Sequence, residues 1–182
     1  SKSTALKLKK HERILNESVP FNMEADSLNC IVLGDDINPS DAEWDIFIKE
    51  VRKEMTVKAG QKCTAIRRIF VPENKMEDVW KSLSTSLSQT VIGNPLNDKV
   101  RMGSLVGQGQ RDEVKQQVQK LLASSQIIYG SLDSVEVMDA VANQGAFLSP
   151  LLLLNEKRFT STDMNEVAAI GPVITLMPDE DV

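Results

Sequence analysis

The chain has 182 residues, 41% of them hydrophobic and 26% charged, which supplies enough apolar side chain for one sizeable core and excludes disorder by composition. A formal charge of −5 and a pI near 5.0 exclude a general nucleic-acid binder, which needs clustered Lys and Arg to neutralise phosphates. No apolar run approaches the ~20 residues that cross a bilayer and the amino terminus carries no apolar signal segment, so no membrane partner and a cytoplasmic location are expected.

Residues 1–10 fit a short amphipathic helix, with Ala5 and Leu8 on one side and lysines on the other. Lys7, Lys9, Lys10 and Arg13 form the one basic cluster, read as a solvated helix face. Residues 19–23 and 28–33 read as two short buried strands, because apolar and β-branched residues dominate, and Gly34-Asp35-Asp36 ends the second. Glu24 lies between them. Ser40 and Glu43 have the spacing of a capping box, and Trp44, Phe47, Ile48, Val51 and Met55 then recur as one helical stripe. Gly60 supplies a left-handed stop.

Ile66, Ile69, Phe70 and Val71 predict a strand running to Pro72. Helices are expected over 76–87 and 111–122, the second with Val114, Val118, Leu121 and Leu122 on one face. Strands are expected over 127–129, 147–154 and 172–177, while 131–143 break the rhythm as a surface excursion. Helices and strands alternate, so the fold class is α/β, an open sheet with flanking helices.

Two cysteines differ in setting. Cys30 sits in an apolar strand pattern and Cys63 in a polar, glycine-led loop, so two free thiols are expected rather than a disulfide. By residue type alone a lone cysteine is more often inert packing. In a polar loop it can instead be a nucleophile, adding as thiolate to an aldehyde carbonyl to give a thiohemiacetal that loses hydride and becomes a thioester. Lys62 would favour that thiolate if its ammonium were turned toward it, and the Cys63 N–H can serve as one oxyanion donor.

A glutamate acting as general base needs restricted solvation, which two apolar strands around Glu24 would supply; the plain alternative is a surface glutamate at a strand end. His11 is the single histidine, so neither a Ser-His-Asp triad nor a metal site is expected. Gly103, Gly107 and Gly109 read as a loop before a helix rather than a phosphate loop. Gly93-Asn94-Pro95 and the run from Phe147 to Pro150 mark turns and a strand entry.

Three stretches carry a likeness to a known family: Gly60-Gln61-Lys62-Cys63-Thr64-Ala65-Ile66-Arg67-Arg68, Met23-Glu24-Ala25-Asp26-Ser27-Leu28-Asn29, and Gly171-Pro172-Val173. Together they resemble the aldehyde dehydrogenase superfamily, and within it the dehydrogenase part of the bifunctional phenylacetic acid degradation proteins. The resemblance implies an aldehyde dehydrogenase catalytic domain at residues 37–182, preceded by a remnant of the nucleotide-binding domain at 1–36. It implies oxidation of an aldehyde to the carboxylic acid with NADP or NAD, the substrate being a small aldehyde such as a CoA-linked semialdehyde of phenylacetate degradation. Cys63 would be the nucleophile and Glu24 the base that activates the deacylating water.

In the cofactor site, Ser1 corresponds to the serine of the family's Gly-Ser pair, where a helix start approaches the pyrophosphate. The family's Glu-x-Phe-Gly-Pro reads Ala168-Ala169-Ile170-Gly171-Pro172 here, so Ala168 replaces the ribose-binding carboxylate and Ile170 the aromatic. Glu166, two residues earlier, could substitute if the loop is shifted. The family's oxyanion asparagine and much of its cofactor site would precede Ser1, and the parent protein would be a homo-oligomer. Two alternatives stand beside this reading: a folded, non-catalytic module lacking the cofactor domain, and a CoA-acylating aldehyde dehydrogenase, a group that generally lacks the glutamate.

Overall fold

Four consecutive leucines, Leu151–Leu154, call for a strand covered on both faces, because successive side chains point to opposite sides of a sheet. The computed structural model, which describes residues 2–156 and 162–179, places this strand inside a five-stranded sheet. The strands are β1 (Asn29–Val32), β2 (Ile66–Pro72), β3 (Gln126–Tyr129), β4 (Leu151–Leu154) and β5 (Val173–Asp179), in the order β1-β2-β5-β4-β3. Neighbours run parallel except β3, which is antiparallel to β4. The helices are α1 (Lys2–Lys9), α2 (Glu12–Asn16), α3 (Ala42–Thr56), α4 (Met76–Ser88), α5 (Gln108–Leu121) and α6 (Thr162–Glu166). The expected open α/β sheet with flanking helices is what forms.

Each face of the sheet carries its own apolar layer. The predicted stripe of α3 packs with Val79, Leu83 and Leu87 of α4 over Ile69, Val71, Leu152, Ile174 and Leu176. On the other face Val114, Val118 and Leu121 of α5 and Met164 of α6 cover Phe70, Leu151, Leu153, Val173 and Met177. Alternate residues of β4 and β5 thus feed opposite layers, as the two-residue period requires. Leu152 is 0% exposed. Leu152→Ala should therefore lower unfolding free energy by about 2–5 kcal/mol, read as a lower urea midpoint at unchanged slope.

Several expectations are corrected. Residues 19–23 form no strand: Ser18 and Asp26 have positive φ (49° and 64°), and Pro20 has no N–H to give a ladder. β1 is a strand but not a buried one. It lies at the sheet edge with Cys30 and Val32 exposed, because among the described residues it pairs with β2 alone. Helix α3 is capped at Asp41 rather than Ser40, without a side-chain capping bond; Asp41 Oδ2 instead accepts the Asn38 N–H at 2.7 Å. Ser40 sits one residue too early to face the helix's open N–H groups. The strand expected over 147–154 begins only at Leu151, after Pro150.

Other expectations survive with adjusted bounds. Helix α5 starts at Gln108, so Gly103 and Gly107 precede it while Gly109 lies in its first turn. Residues 131–143 are largely irregular and touch the rest through a bridge from Met138 to Gly93. Helices α1 and α2 bury no residue, and Lys7, Lys9, Lys10 and Arg13 are exposed. His11 is an exposed cap residue whose Nδ1 accepts the Arg13 N–H at 3.3 Å. Among the described residues no helix is long and apolar enough to cross a membrane.

Candidate active site

The chain leaves α3 through a tight turn, Val57–Gly60, in which Lys58, Ala59 and Gly60 all take positive φ (54°, 50° and 68°). Glycine is required at the last of these, since a Cβ on Gly60 would stand 2.2 Å from the Gly171 carbonyl oxygen. Gln61 then fastens the turn sideways: its Oε1 accepts the Val106 N–H at 3.0 Å and its Nε2 donates to the Lys58 carbonyl at 2.9 Å. Cys63 follows on a second turn, exposed and unbonded to Cys30, just before β2 begins.

The backbone around Cys63 is held by side chains from elsewhere in the sequence. The Cys63 carbonyl accepts hydrogen bonds from Ser27 Oγ and from Asn29 Nδ2, the latter at 2.7 Å. Asn29 Nδ2 also lies 3.2 Å from the Ala65 carbonyl. From beneath, Arg67 donates to the Gly60 carbonyl at 2.6 Å, the Gly171 carbonyl at 2.7 Å and the Lys62 carbonyl at 3.3 Å. Arg67 is 5% exposed, and burial pulls its pKa down to about 10, partly opposed by Glu54. Arg68 donates to Asn165 Oδ1 at 2.9 Å and to the Leu28 carbonyl.

Lys62 is engaged by a carboxylate. Its ammonium pairs with Glu54 Oε1 at 2.6 Å, both side chains being mostly shielded at 20% and 16% exposure. Help from Lys62 is conditional on its ammonium turning toward the thiol; the ammonium is instead engaged by a carboxylate on α3.

Cys63 and Glu24 line one cleft of about 1040 Å³, together with Glu166, Ala168, Ile170 and Gln110. Glu24 is exposed, and its Oε1 accepts Asn22 Nδ2 at 3.0 Å. The restricted solvation expected from flanking strands is absent, because only β1 forms and it starts five residues later. Glu166 ends α6 as an exposed carboxylate, whereas Ala168 is half-buried and offers no hydrogen bond. The Ile170 carbonyl is held by Gln110 Nε2 at 3.0 Å. Ser1 lies outside the described residues. Among these residues no group of three or more His, Cys, Asp or Glu side chains is placed to hold a metal ion.

Residues 16–182 match the sequence profile of the aldehyde dehydrogenase family. The chain belongs to that family. This aldehyde dehydrogenase chain is 37% identical over 181 residues to the 3,4-dehydroadipyl-CoA semialdehyde dehydrogenase of Aromatoleum evansii, a match covering 100% of this chain and 35% of that one. A putative aldehyde dehydrogenase of Staphylococcus haemolyticus is 28% identical over 138 residues, covering 73% of this chain and 28% of its own. The chain thus spans about a third of the length of these curated relatives. Among solved structures, the succinic semialdehyde dehydrogenase of Streptococcus pyogenes, in complex with NADP+, superposes with a TM-score of 0.70 at 18% identity, over 84% of this chain and 31% of its own. Aldehyde dehydrogenase C of Pseudomonas syringae, a C291A mutant complexed with NAD+ and octanal, gives 0.68 at 18% identity, over 85% and 30%. At such identities the superpositions speak to the fold alone.

The motif resemblance points to Cys63 and Glu24 but gives no role to Ser27, Asn29, Glu54 or Arg67. Ser27 and Asn29 were visible as part of the Met23–Asn29 run. Arg67 stood inside the Cys63 run beside Arg68, with nothing in the sequence to say which of the two is buried.

Proposed function

We propose that the protein carrying this chain is an oxidoreductase that converts an aldehyde to a carboxylic acid with NADP or NAD, using Cys63 as nucleophile and Glu24 as base. The observation that supports this most is that both side chains line one cleft while the Cys63 carbonyl is tied, through Ser27 and Asn29, to the segment that carries Glu24. The tie holds the turn that carries Cys63 against the segment that carries Glu24, which supports pairing the two in one mechanism.

In this reading the Cys63 sulfur bonds to the aldehyde carbon, the carbonyl π pair moves to oxygen, and the Cys63 N–H faces the resulting oxyanion. A bound nicotinamide supplies the acceptor for the hydride that leaves this carbon. As the carbonyl re-forms, Cys63 carries a thioester. Glu24 then takes a proton from water, the hydroxyl adds to the thioester carbon, and the carbon–sulfur bond breaks to release the acid and the Cys63 thiolate. Because Glu24 is exposed in the open cleft, substrate and cofactor filling that cleft would supply the desolvation its role calls for.

Glu166, Ala168 and Ile170 line the same cleft, and in this reading Glu166 would take the place of the family's ribose-binding carboxylate as an acceptor for hydroxyls. Ser1 is assigned to the pyrophosphate by motif position. The proposed division into a nucleotide-binding remnant at 1–36 and a catalytic domain at 37–182 crosses a continuous sheet, since β1 pairs in parallel with β2. The 37% identity to the Aromatoleum enzyme favours a CoA-linked semialdehyde of aromatic-acid degradation as substrate.

The test is turnover of such a semialdehyde by the whole protein with NADP or NAD, following reduced nicotinamide and the identity of the product. The free acid is expected. Glu24→Gln should leave a first burst of reduced nicotinamide and slow later turnovers by roughly 10²–10⁴-fold, the usual contribution of a general base. An acyl-CoA product formed from added CoA, with Glu24→Gln indistinguishable from the parent, would assign the protein to the CoA-acylating group. No reduced nicotinamide with either cofactor would sink the oxidoreductase reading.

A further inference from the structure

We infer that Arg67 is a positioning residue for the backbone N–H of Cys63. This rests on the reading of Cys63 as nucleophile and of its N–H as the oxyanion donor, and it adds what aims that donor.

The peptide that ends in the Cys63 N–H begins with the Lys62 carbonyl. A trans peptide is planar, so its C=O and N–H point in opposite directions, and whatever holds one fixes the other. Two groups hold the Lys62 carbonyl: Arg67 Nη2 at 3.3 Å and the Ala65 N–H at 3.2 Å. The same Nη2 makes its shorter bond to the Gly60 carbonyl at 2.6 Å, and Nη1 reaches Gly171 at 2.7 Å. One planar guanidinium therefore locks the entry to the Cys63 turn to a segment 104 residues away. The next peptide is fixed from the opposite side, where Ser27 and Asn29 hold the Cys63 carbonyl. Both carbonyls that flank the Cys63 α-carbon are anchored.

A stability role alone accounts poorly for this arginine. Its guanidinium is buried, its Nε lies buried without a partner, and the Glu54 oxygen not engaged by Lys62 is likewise unpartnered. Burying a charge with incomplete pairing is a weak way to stabilise a fold, and apolar replacements of similar volume commonly do as well or better. What the arginine does provide is a rigid fork spanning three carbonyls, two of them, Gly60 and Lys62, in the stretch that leads into the Cys63 turn.

The test compares two reactions of the same thiol in the whole protein, each followed at Cys63 by peptide mass spectrometry. Acetylation by p-nitrophenyl acetate passes through a tetrahedral oxyanion, whereas alkylation by iodoacetamide does not. Arg67→Met should slow acetylation by about tenfold or more, approaching the roughly 10²–10³-fold that loss of an oxyanion donor costs, and leave alkylation within about twofold. Arg67→Lys, which keeps the charge and loses the fork, should recover part of the acetylation rate; it also serves as the reading if the Met variant does not fold, with acetylation alone reduced. Parallel loss of both reactions, or no change in either, in a variant with native circular dichroism would overturn the inference. Absence of Cys63 acetylation in the unaltered protein would remove the nucleophile reading, and this inference with it.

Discussion

Cys63→Ala in the protein carrying this chain should abolish aldehyde oxidation, with kcat falling at least about 10⁴-fold, since removing a covalent nucleophile eliminates the path rather than weakening it. The same change should barely touch the fold. Cys63 is exposed on a turn whose recorded ties run through its backbone carbonyl, so unfolding free energy should stay within about 0.5 kcal/mol of the parent. The second free thiol provides the internal control: Cys30 is also exposed, but it lies on β1 and not among the residues lining the cleft. Cys30→Ala should retain full activity. Steady-state formation of reduced nicotinamide, paired with urea unfolding of each variant, measures both halves. Activity surviving in Cys63→Ala would remove the thiol from the mechanism.

Gly60→Ala should cost the fold about as much as Leu152→Ala, by a different route. The added Cβ would lie 2.2 Å from the Gly171 oxygen and 2.6 Å from the Gly171 carbon, both backbone atoms that cannot swing aside. The residue also sits at φ 68°, where an L side chain costs about 1–2 kcal/mol, and overpacking adds roughly 1–3 kcal/mol. A loss of about 2–5 kcal/mol in urea unfolding is expected. The same clash separates Gly60 from Gly171, whose carbonyls share the Arg67 guanidinium, so Cys63 reactivity should also fall in the fraction that remains folded. Gly103→Ala is the matched control, because nothing lies within 4 Å of a Cβ there. Equal stability of the two variants would contradict the turn geometry that leads to Cys63.

What could be read from the sequence was what local periodicity encodes. The α3 stripe and the α5 face repeat at the helical period, while residues 69–71 of β2 and the leucine run of β4 are continuous apolar stretches; most of these residues are buried, with Leu122, Leu154 and, at the start of β2, Ile66 partly exposed. Residues 19–23 misled because a few apolar residues mimic a strand while Pro20 and the positive φ at Ser18 and Asp26 forbid the ladder. Whether β1 is buried depends on which strand lies on its far side, a property of topology that no window of five residues contains. The cap of α3 was misplaced by one residue because Ser40 and Asp41 are both good caps, and backbone geometry decides between them.

The candidate site divides in the same way. Cys63 and Glu24 are candidates by motif rather than by residue type, and both line the cleft. Their supports were not legible, because the Ser27, Asn29 and Arg67 contacts span 36, 34 and 104 residues. Lys62 shows how a neighbour in sequence misleads: it is adjacent to the thiol along the chain, yet its charge is spent on Glu54, eight residues back.

The bonds from Ser27 and Asn29 to a single carbonyl have one more consequence. A thermal excursion that frees residues 27–29 removes both bonds to the Cys63 carbonyl in the same event, and one that displaces that carbonyl removes both from the segment. Under the proposed mechanism, the segments that carry Glu24 and Cys63 would therefore open together rather than independently.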